Sequence, residues 1–376
     1  MDFDLGKEEI QIRQRLHELI DPNLDEWLSG LGSADLDHRR RTLLSAFEAV
    51  ASSGYTEFVF EGKGRGAAVM AVREELAFIS PSLYLSVEGG NGLLVQLLGT
   101  LRTDMQENRV LPSLMSCKAV GSVALVEDHG NIEDNPFGAS IEEQGNSLCL
   151  SAEKNMVVNA GVADWIAVAA TYEGRLAFAL ISPDPENLEI CNPIAALGLE
   201  PSPFYQLCLN KFPVSLGELI GPFETSEPLS RVRMWEDQVL VGASLGIMRR
   251  AYEAARDHSK AHRCGGKPLV AYQEVGFKLA EMLTLIHTAQ LLAYRAAWII
   301  ETGDREAEIL VHSAKVFCAE SAESVASGAI QILGQMGYSS RNPAEQAYRD
   351  AKFIQLGGTS TERSRIKIGD KLLEAI

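Results

Sequence analysis

The spacing of apolar and polar positions changes twice along the chain. In residues 1–118 apolar side chains recur every three to four positions, as in RTLLSAFEAVASSG and AAVMAVREELAFI, which is typical of amphipathic helices. In residues 119–225 short apolar or alternating runs such as SLCLSAEKNMVV and RLAFALISP are broken by Gly, Asn, Asp and Pro, which favours strands. Helical spacing returns in residues 226–376. The pattern predicts an α+β chain with an N-terminal helical domain, a middle antiparallel β-barrel or sandwich domain and a C-terminal four-helix bundle.

The last region contains four long helical windows and a shorter one near the C terminus. The long windows span residues 229–260, 269–302, 305–336 and 343–355. Ser226 and Glu227 precede Pro228, an arrangement that favours a helix start at this point. Four windows of this length fit an antiparallel bundle.

One carboxylate interrupts the apolar stripe of the first long window. The stripe contains Leu229, Val232, Val239, Ala243, Gly246 and Ile247, and the position between Val232 and Val239 is Glu236. Burying an unpaired charge is costly, so such a residue is paired, neutralised or used in chemistry. A structural glutamate held by hydrogen bonds, or one that the helix turns toward solvent, remains an alternative to a catalytic base.

Composition excludes several classes of function. The 376-residue chain is 46% hydrophobic and has a formal net charge of −17, which disfavours nucleic acid as a partner. No apolar run approaches the roughly 20 residues that a membrane span needs, and the charged, amphipathic start does not resemble a secretory signal. The six cysteines form no CxxC pair, so we expect free thiols, no metal site and a cytoplasmic location.

Longer phrases add a more specific indication. They are GGKPLVAYQEVGFKLAEM, LLAYRAAW, AIQILGQMGYSSRNPAEQAYRDAKF and LGGTSTER in the C-terminal region, SAEKNMVVNAGVADW and ALGLEPSPF in the middle region, and LPSLMSCKAVGSVALVE at the junction that precedes it. Together they resemble the acyl-CoA dehydrogenase family of flavoproteins. The resemblance covers essentially the whole chain in order, and helix–β–helix is that family's architecture.

The resemblance implies an FAD-dependent α,β-dehydrogenation of an acyl thioester. A carboxylate removes the α-proton, and flavin N5 accepts a hydride from the β-carbon. In many members the base is the Glu of a Tyr-Glu-Gly-Thr stretch, which reads QLGGT here, with Gly357 at the position of the Glu. A branch that includes isovaleryl and long-chain enzymes takes its base from the first bundle helix. Counted back from LGIM at 245–248, that base is Glu236.

The positions that match the family's cofactor contacts depart from its pattern more than the scaffold does. The resemblance implies FAD contacts at Leu125, Val126, Val157, Val158, His262, Arg263, Gln331, Gly334, Thr359 and Thr361. Val158 replaces a threonine whose hydroxyl would bond N5, and Asp237 replaces a frequent arginine after the base. We therefore expect FAD to bind more weakly than is usual in the family.

The same resemblance implies partners and leaves a second function open. The thioester is carried by CoA or by an acyl-carrier protein, and an electron-transfer flavoprotein or oxygen accepts the electrons. The family builds its FAD site from two subunits, so a homo-oligomer, a dimer or a tetramer, is expected. The altered cofactor positions also allow a flavin-poor member, either a partner subunit of a mixed oligomer or a non-redox thioester lyase or dehydratase that uses Glu236 for proton transfer.

Overall fold

The computed structural model describes residues 6–101, 110–127, 137–144, 147–183, 188–302, 304, 306–340 and 342–374. The N-terminal region is helical. Its helices are α1 (Lys7–Ile20), α2 (Leu24–Leu31), α3 (Leu36–Ser52), α4 (Tyr55–Val59), α5 (Gly66–Ile79), α6 (Pro81–Leu85), α7 (Leu93–Leu101) and α8 (Leu111–Met115). A π-helix, Ser86–Gly92, joins α6 to α7. Its sequence, SVEGGNG, contains three glycines, which make it a weak α-helix former.

The middle region forms one mixed sheet. Its strands are β1 (Gly121–Ala124), β2 (Ser140–Gln144), β3 (Ser147–Val158), β4 (Trp165–Tyr172), β5 (Arg175–Ile181), β6 (Leu188–Pro193), β7 (Phe204–Val214) and β8 (Leu219–Phe223). Their order is β6-β7-β3-β2-β4-β5-β8, with β1 beside β4. Within the described residues β1 and β2 pair with β4 in parallel, and the other pairs are antiparallel. The sheet thus differs in these two pairings from the antiparallel domain that the sequence predicts.

The C-terminal region is a bundle of long helices. Its helices are α9 (Glu227–Ala261), α10 (Gln273–Thr302), α11 (Ala307–Leu333), α12 (Pro343–Leu356) and α13 (Thr361–Glu374), and a short hairpin of β9 (Arg263–Cys264) and β10 (Lys267–Pro268) separates α9 from α10. Pro228 lies in the first turn of α9, as expected, but the side chain of Ser226 makes no capping hydrogen bond. No helix in the described part of the chain is long and apolar enough to cross a membrane.

Helix α9 connects two of the hydrophobic cores. Leu229 and Val232, in its first turns, belong to a core shared with α7, α8 and one face of the sheet. Val239 and Ala243, farther along, belong to a core shared with the N-terminal helices and the rest of the bundle. The predicted apolar stripe is therefore buried, and Glu236 lies where the two cores meet. The helix–β–helix order predicted from spacing is confirmed.

Candidate active site

Glu236 keeps its carboxylate accessible within the buried stripe of α9. Its side chain is 24% exposed, whereas Val232 and Val239 on either side are buried. Arg233, three residues earlier and buried, bonds Glu236 Oε2 through Nη1 at 2.6 Å. An i, i+3 pair of opposite charge lies on one side of a helix, and a hydrogen bond between ionised groups is stronger than one between neutral groups. The sequence analysis missed Arg233.

Asp237, the next residue, points into the bundle and is completely buried. Its Oδ1 accepts the backbone N–H of Thr359 at 2.8 Å and lies 3.9 Å from Lys315 Nζ. Its Oδ2 has no hydrogen-bond partner among the described residues and lies 3.7 Å from His312 Nδ1. Burial raises the pKa of Asp237, and the charge of Lys315 opposes the rise.

Lys315, on α11, holds the segment that follows α12. Its Nζ donates to the carbonyls of Ile354 and Gly357 at 2.7 Å and of Thr359 at 3.1 Å. Burial lowers the pKa of Lys315, and the charge of Asp237 opposes the fall. A lysine that satisfies the carbonyls at a helix C-terminus both caps the helix and complements its dipole. The fixed segment includes Gly357, where many relatives carry a glutamate.

Gly358 brings this segment against α9. Its φ of +60° lies in the left-handed region that favours glycine, and a Cβ there would lie 2.5 Å from Asp237 Oδ1. The segment Gly357–Thr359 therefore packs directly against Asp237, the residue after Glu236. It contains no carboxylate of its own. The structure thus brings Glu236, Asp237 and Thr359 close together in space.

The strand side of the site comes from β3. The pairing of β3 with β7 shifts register between Lys154 and Val157, and Met156 adopts a φ of +54°. Val157 is buried, while Val158 is partly exposed and its carbonyl accepts the hydroxyl of Ser122 at 2.6 Å. A Cβ on Gly89 of the π-helix would meet Val158 at 3.7 Å, so the π-helix borders this side of the site.

Glu127 can be set aside as an alternative base. Its Oε1 accepts Lys154 Nζ at 2.7 Å, and its Oε2 accepts the backbone N–H of Gly138 at 2.7 Å. Burial alone would raise the pKa of Glu127, but these bonds hold it below its usual value. Burial lowers the pKa of Lys154 to about 8. Residues 128–136, which follow Glu127, lie outside the described residues.

The comparisons with known proteins point to acyl-CoA dehydrogenases. Residues 234–373 match the model of the acyl-CoA dehydrogenase C-terminal domain. A probable acyl-CoA dehydrogenase of Mycobacterium leprae is 27% identical over 383 residues, which are 99% of this chain and 97% of that protein. The solved butyryl-CoA dehydrogenase of Megasphaera elsdenii superposes with a TM-score of 0.89 at 22% identity, over 99% of this chain and 100% of its own. The C-terminal region is therefore an acyl-CoA dehydrogenase C-terminal domain, and the whole chain is similar to acyl-CoA dehydrogenases in sequence and fold.

A second similar fold belongs to a solved prolyl acyl carrier protein oxidase. It has a TM-score of 0.86 at 21% identity and covers 98% of this chain and 100% of its own.

The positions that match the acyl-CoA dehydrogenase cofactor contacts form two groups in one subunit. Thr359 lies against Asp237, the neighbour of Glu236, and Leu125 shares a hydrophobic core with Val232 of α9. Val157, at the end of β3, and Thr361 are buried as well. His262 and Arg263 lie exposed at the other end of α9, 26 residues or about 39 Å of helix from Glu236. Gln331 and Gly334 are also exposed, at the end of α11. One subunit therefore does not bring all these residues to one cofactor.

The residues near Glu236 fit the flavin cofactor that the family implies. Thr359 is buried, and its Oγ1 has no hydrogen-bond partner among the described residues. A buried hydroxyl without a partner is costly, and a polar ligand group would satisfy it. Val157 and Val158, at the end of β3, are the residues that would hold the ring side of FAD, and Thr359 would be a further contact, on the adenosine side as the resemblance implies. Within the described residues no cluster of His, Cys, Asp or Glu is arranged to hold a metal ion.

Sequence reasoning also missed Lys315 and did not connect His312 to the site. Both lie on the buried face of α11 with Val311, Ala314 and Cys318. Both residues could have been found in the sequence by the criterion that identified Glu236, because each is a polar residue on the apolar stripe of a long helix.

Proposed function

We propose that this protein catalyses FAD-dependent α,β-dehydrogenation of an acyl thioester, with Glu236 as the base. The observation that carries the proposal is the pairing of two positions: Gly357 has no side chain where many relatives carry the base, and an accessible carboxylate lies at Glu236 on the adjacent helix. FAD, when bound, accepts the hydride that leaves the β-carbon.

The protein's own residues handle the proton. The bond to Arg233 uses Oε2 of Glu236 and leaves Oε1 for the α-proton of the substrate. Buried apolar side chains of two cores flank Glu236, and their low dielectric strengthens electrostatic interactions at the reacting centre. Backbone N–H groups at the end of β3 would orient the flavin edge, since Val158 offers no hydroxyl.

The proposed substrate class is based on the substrates named for two proteins of similar structure. Butyryl-CoA dehydrogenase acts on a CoA thioester, and the prolyl acyl carrier protein oxidase is named for a carrier-bound one. Both carriers present the thioester on a pantetheine arm, so we propose a pantetheine thioester as the substrate. The electron acceptor we propose is an electron-transfer flavoprotein or oxygen. The cysteine usage supports a cytoplasmic location, because Cys117, Cys149, Cys264 and Cys318 are free thiols.

We further propose a homo-oligomer, a dimer or a tetramer, that completes the cofactor site. The separation of about 39 Å between Glu236 and His262 exceeds the length of one FAD molecule. The exposed face of α10 carries Phe277, Leu291 and Trp298, and Met336 and Tyr338 are exposed after α11. Thr284 and Thr288 on the same α10 face donate to carbonyls of their own helix, so the face can be buried without leaving these hydroxyls unsatisfied. Light scattering that finds only monomer at micromolar concentration would contradict this assembly.

The test of the function is titration of FAD into stripped protein, read beside Val158→Thr. We expect saturable binding by the wild type, and tighter binding by the variant because the threonine restores a donor near the flavin edge. Ile10→Thr, an exposed β-branched position on α1, is the matched control and should leave the affinity unchanged. If the wild type shows no saturable binding at high micromolar FAD, the oxidoreductase proposal is wrong, and the non-redox alternative replaces it.

A further inference from the structure

We infer that Asp237 is a positioning residue, which sets Thr359 and its hydroxyl in place for the cofactor by accepting the Thr359 backbone N–H. This inference rests on the proposed function and extends it to a residue that touches neither substrate nor cofactor. Asp237 is completely buried, so it acts on the site only through what it contacts.

The first step of the argument is the contact itself. Asp237 Oδ1 accepts the N–H of Thr359 at 2.8 Å, which ties α9 to the segment after α12. A hydrogen bond from a backbone N–H to a carboxylate is stronger than one to a neutral acceptor. The position of Thr359 is therefore coupled to the turn of α9 that carries Glu236.

The second step is that this segment is held from two sides. Lys315 takes the carbonyls of Gly357 and Thr359, and Asp237 takes the N–H of Thr359. Lys315 also supplies the opposite charge that lets Asp237 stay buried, at 3.9 Å from Oδ1. The main chain of Thr359 is thus held at both its N–H and its carbonyl, so the point from which its side chain projects is fixed.

The third step is that the fixed side chain has an unmet bond. Thr359 Oγ1 is buried and makes no hydrogen bond of normal length among the described residues, although the Thr359 side chain lies close enough to the Asp237 carboxylate to act against the rise in its pKa. A rigid main chain with an unsatisfied hydroxyl is the arrangement expected of a preorganised ligand contact. Asp237 Oδ2 also lacks a hydrogen-bond partner, so Asp237 is not simply a saturated structural carboxylate.

The experiment is a double-mutant cycle of Asp237→Ala and Thr359→Ala, read as FAD affinity of stripped protein. We expect each single variant to weaken binding about tenfold, which corresponds to about 1.4 kcal/mol. If Asp237 acts through Thr359, the double variant should also be weakened only about tenfold. Asp237→Asn keeps an acceptor for the Thr359 N–H, so its affinity should stay within about threefold of the wild type. Asp25→Ala, an exposed aspartate on α2, is the control.

Additive losses near a hundredfold in the double variant would overturn the inference, as would Asp237→Asn losing as much as Asp237→Ala. If Asp237→Ala does not fold, the same cycle runs with Gly358→Ala, whose Cβ would press on Asp237 Oδ1 while both charges stay in place. Additivity of Gly358→Ala with Thr359→Ala would likewise contradict the inference. Absence of FAD binding by the wild type overturns the proposed function and this inference together, whereas additivity with intact wild-type binding overturns the inference alone.

Discussion

Two clusters of buried charge lie about 18 Å apart along α9, and they are built differently. The first, which we call the Glu75 cluster, joins α1, α5 and α9. Glu75 accepts Arg249 at 2.7 and 3.0 Å and His17 at 2.8 Å, and Arg13 also pairs with it. The second, the Asp237 cluster, consists of Asp237, His312, Lys315 and Thr359, and its closest charge pairs are 3.7 and 3.9 Å apart.

The difference shows in the titration of the two carboxyls. Burial acts to raise the pKa of Glu75, but its bonds with Arg249, Arg13 and His17 lower it to about 2. Burial raises the pKa of Asp237, and Lys315 does not fully offset the rise. The Glu75 carboxylate is surrounded by hydrogen-bond donors and holds helices together. The Asp237 carboxylate keeps one oxygen without a hydrogen bond, which a purely structural carboxylate would not be expected to do. The Glu75 cluster should therefore control stability, and the region around Asp237 should control activity.

The largest effect should come from Glu236→Gln, beside the Asp237 cluster. Glutamine keeps the volume of the side chain but cannot take the α-proton, so exchange of that proton in deuterated water should fall about 10²–10⁴-fold. The free energy of unfolding should change little. Glu26→Gln, at an exposed position on α2, is the control. Undiminished exchange would show that the base lies elsewhere.

Glu75→Gln should lower the free energy of unfolding and leave the active site unchanged, the reverse of Glu236→Gln. The change removes the shortest ion pair of Arg249 and leaves it only Glu74 at 3.6 Å and Glu253 at 3.5 Å. Breaking a buried ion pair costs about 3–5 kcal/mol, and these remaining carboxylates place the loss at the lower end. Urea unfolding should show this loss, while the FAD affinity of the folded fraction stays unchanged. The double variant Glu75→Gln with Arg249→Met should recover part of the stability. A Glu75→Gln protein with normal stability and impaired cofactor binding would reverse the comparison.

Asp350 tests whether a sparsely bonded buried carboxyl titrates near neutral pH. It accepts the N–H of Leu199 at 2.5 Å, and burial raises its pKa to about 6 from an ordinary value of 3.8. A raised folded pKa means that its contribution to stability is fully present below pH 4 and is lost as the pH rises through 6. Asp350→Asn removes this dependence, so its stability relative to the wild type should rise by about 3 kcal/mol between pH 4 and 7. Urea unfolding across that range measures it, and a constant difference would contradict the assignment.

The smallest effect should come from His17 at the edge of the Glu75 cluster. Burial lowers the pKa of His17, but hydrogen bonds with Glu75 and Asp21 raise it above 6.5 overall. The stabilisation is therefore full below pH 6.5 and is lost as the pH rises through the folded pKa. Since the ring is partly exposed, the loss should be under about 1 kcal/mol. Thermal unfolding across this pH range measures the fall in stability, and His17→Gln should abolish it. If the variant shows the same fall, another titrating group is responsible.

Helical spacing located the bundle with small errors. The windows 229–260 and 343–355 correspond to α9 (Glu227–Ala261) and α12 (Pro343–Leu356). The window 269–302 began too early, because the β9–β10 hairpin is followed by a 3-10 turn, Leu269–Ala271, before α10 starts at Gln273. Gly265 and Gly266, both at positive φ, favour that hairpin, a local feature that apolar spacing does not report.

The sheet and the π-helix show where spacing stops being informative. Alternation marks β1 and β4 as strands but does not specify that they pair in parallel, since partner choice depends on contacts between distant residues. The segment Ser86–Gly92 has no spacing that distinguishes a π-helix from an α-helix. The residue Glu236 was accessible to sequence reasoning because its position on the apolar stripe of one helix is a local property.

The sequence by itself determined the helix–β–helix order, the stripe on α9 and the carboxylate that interrupts it, because helix geometry fixes which residues share a face. It did not determine which residues Glu236 and Asp237 contact in the folded protein. The bond from Asp237 to Thr359 and the hold of Lys315 on Gly357 and Thr359 join segments far apart in the chain. Only the tertiary structure decided them, because the partner of a buried charge depends on which element packs against its face.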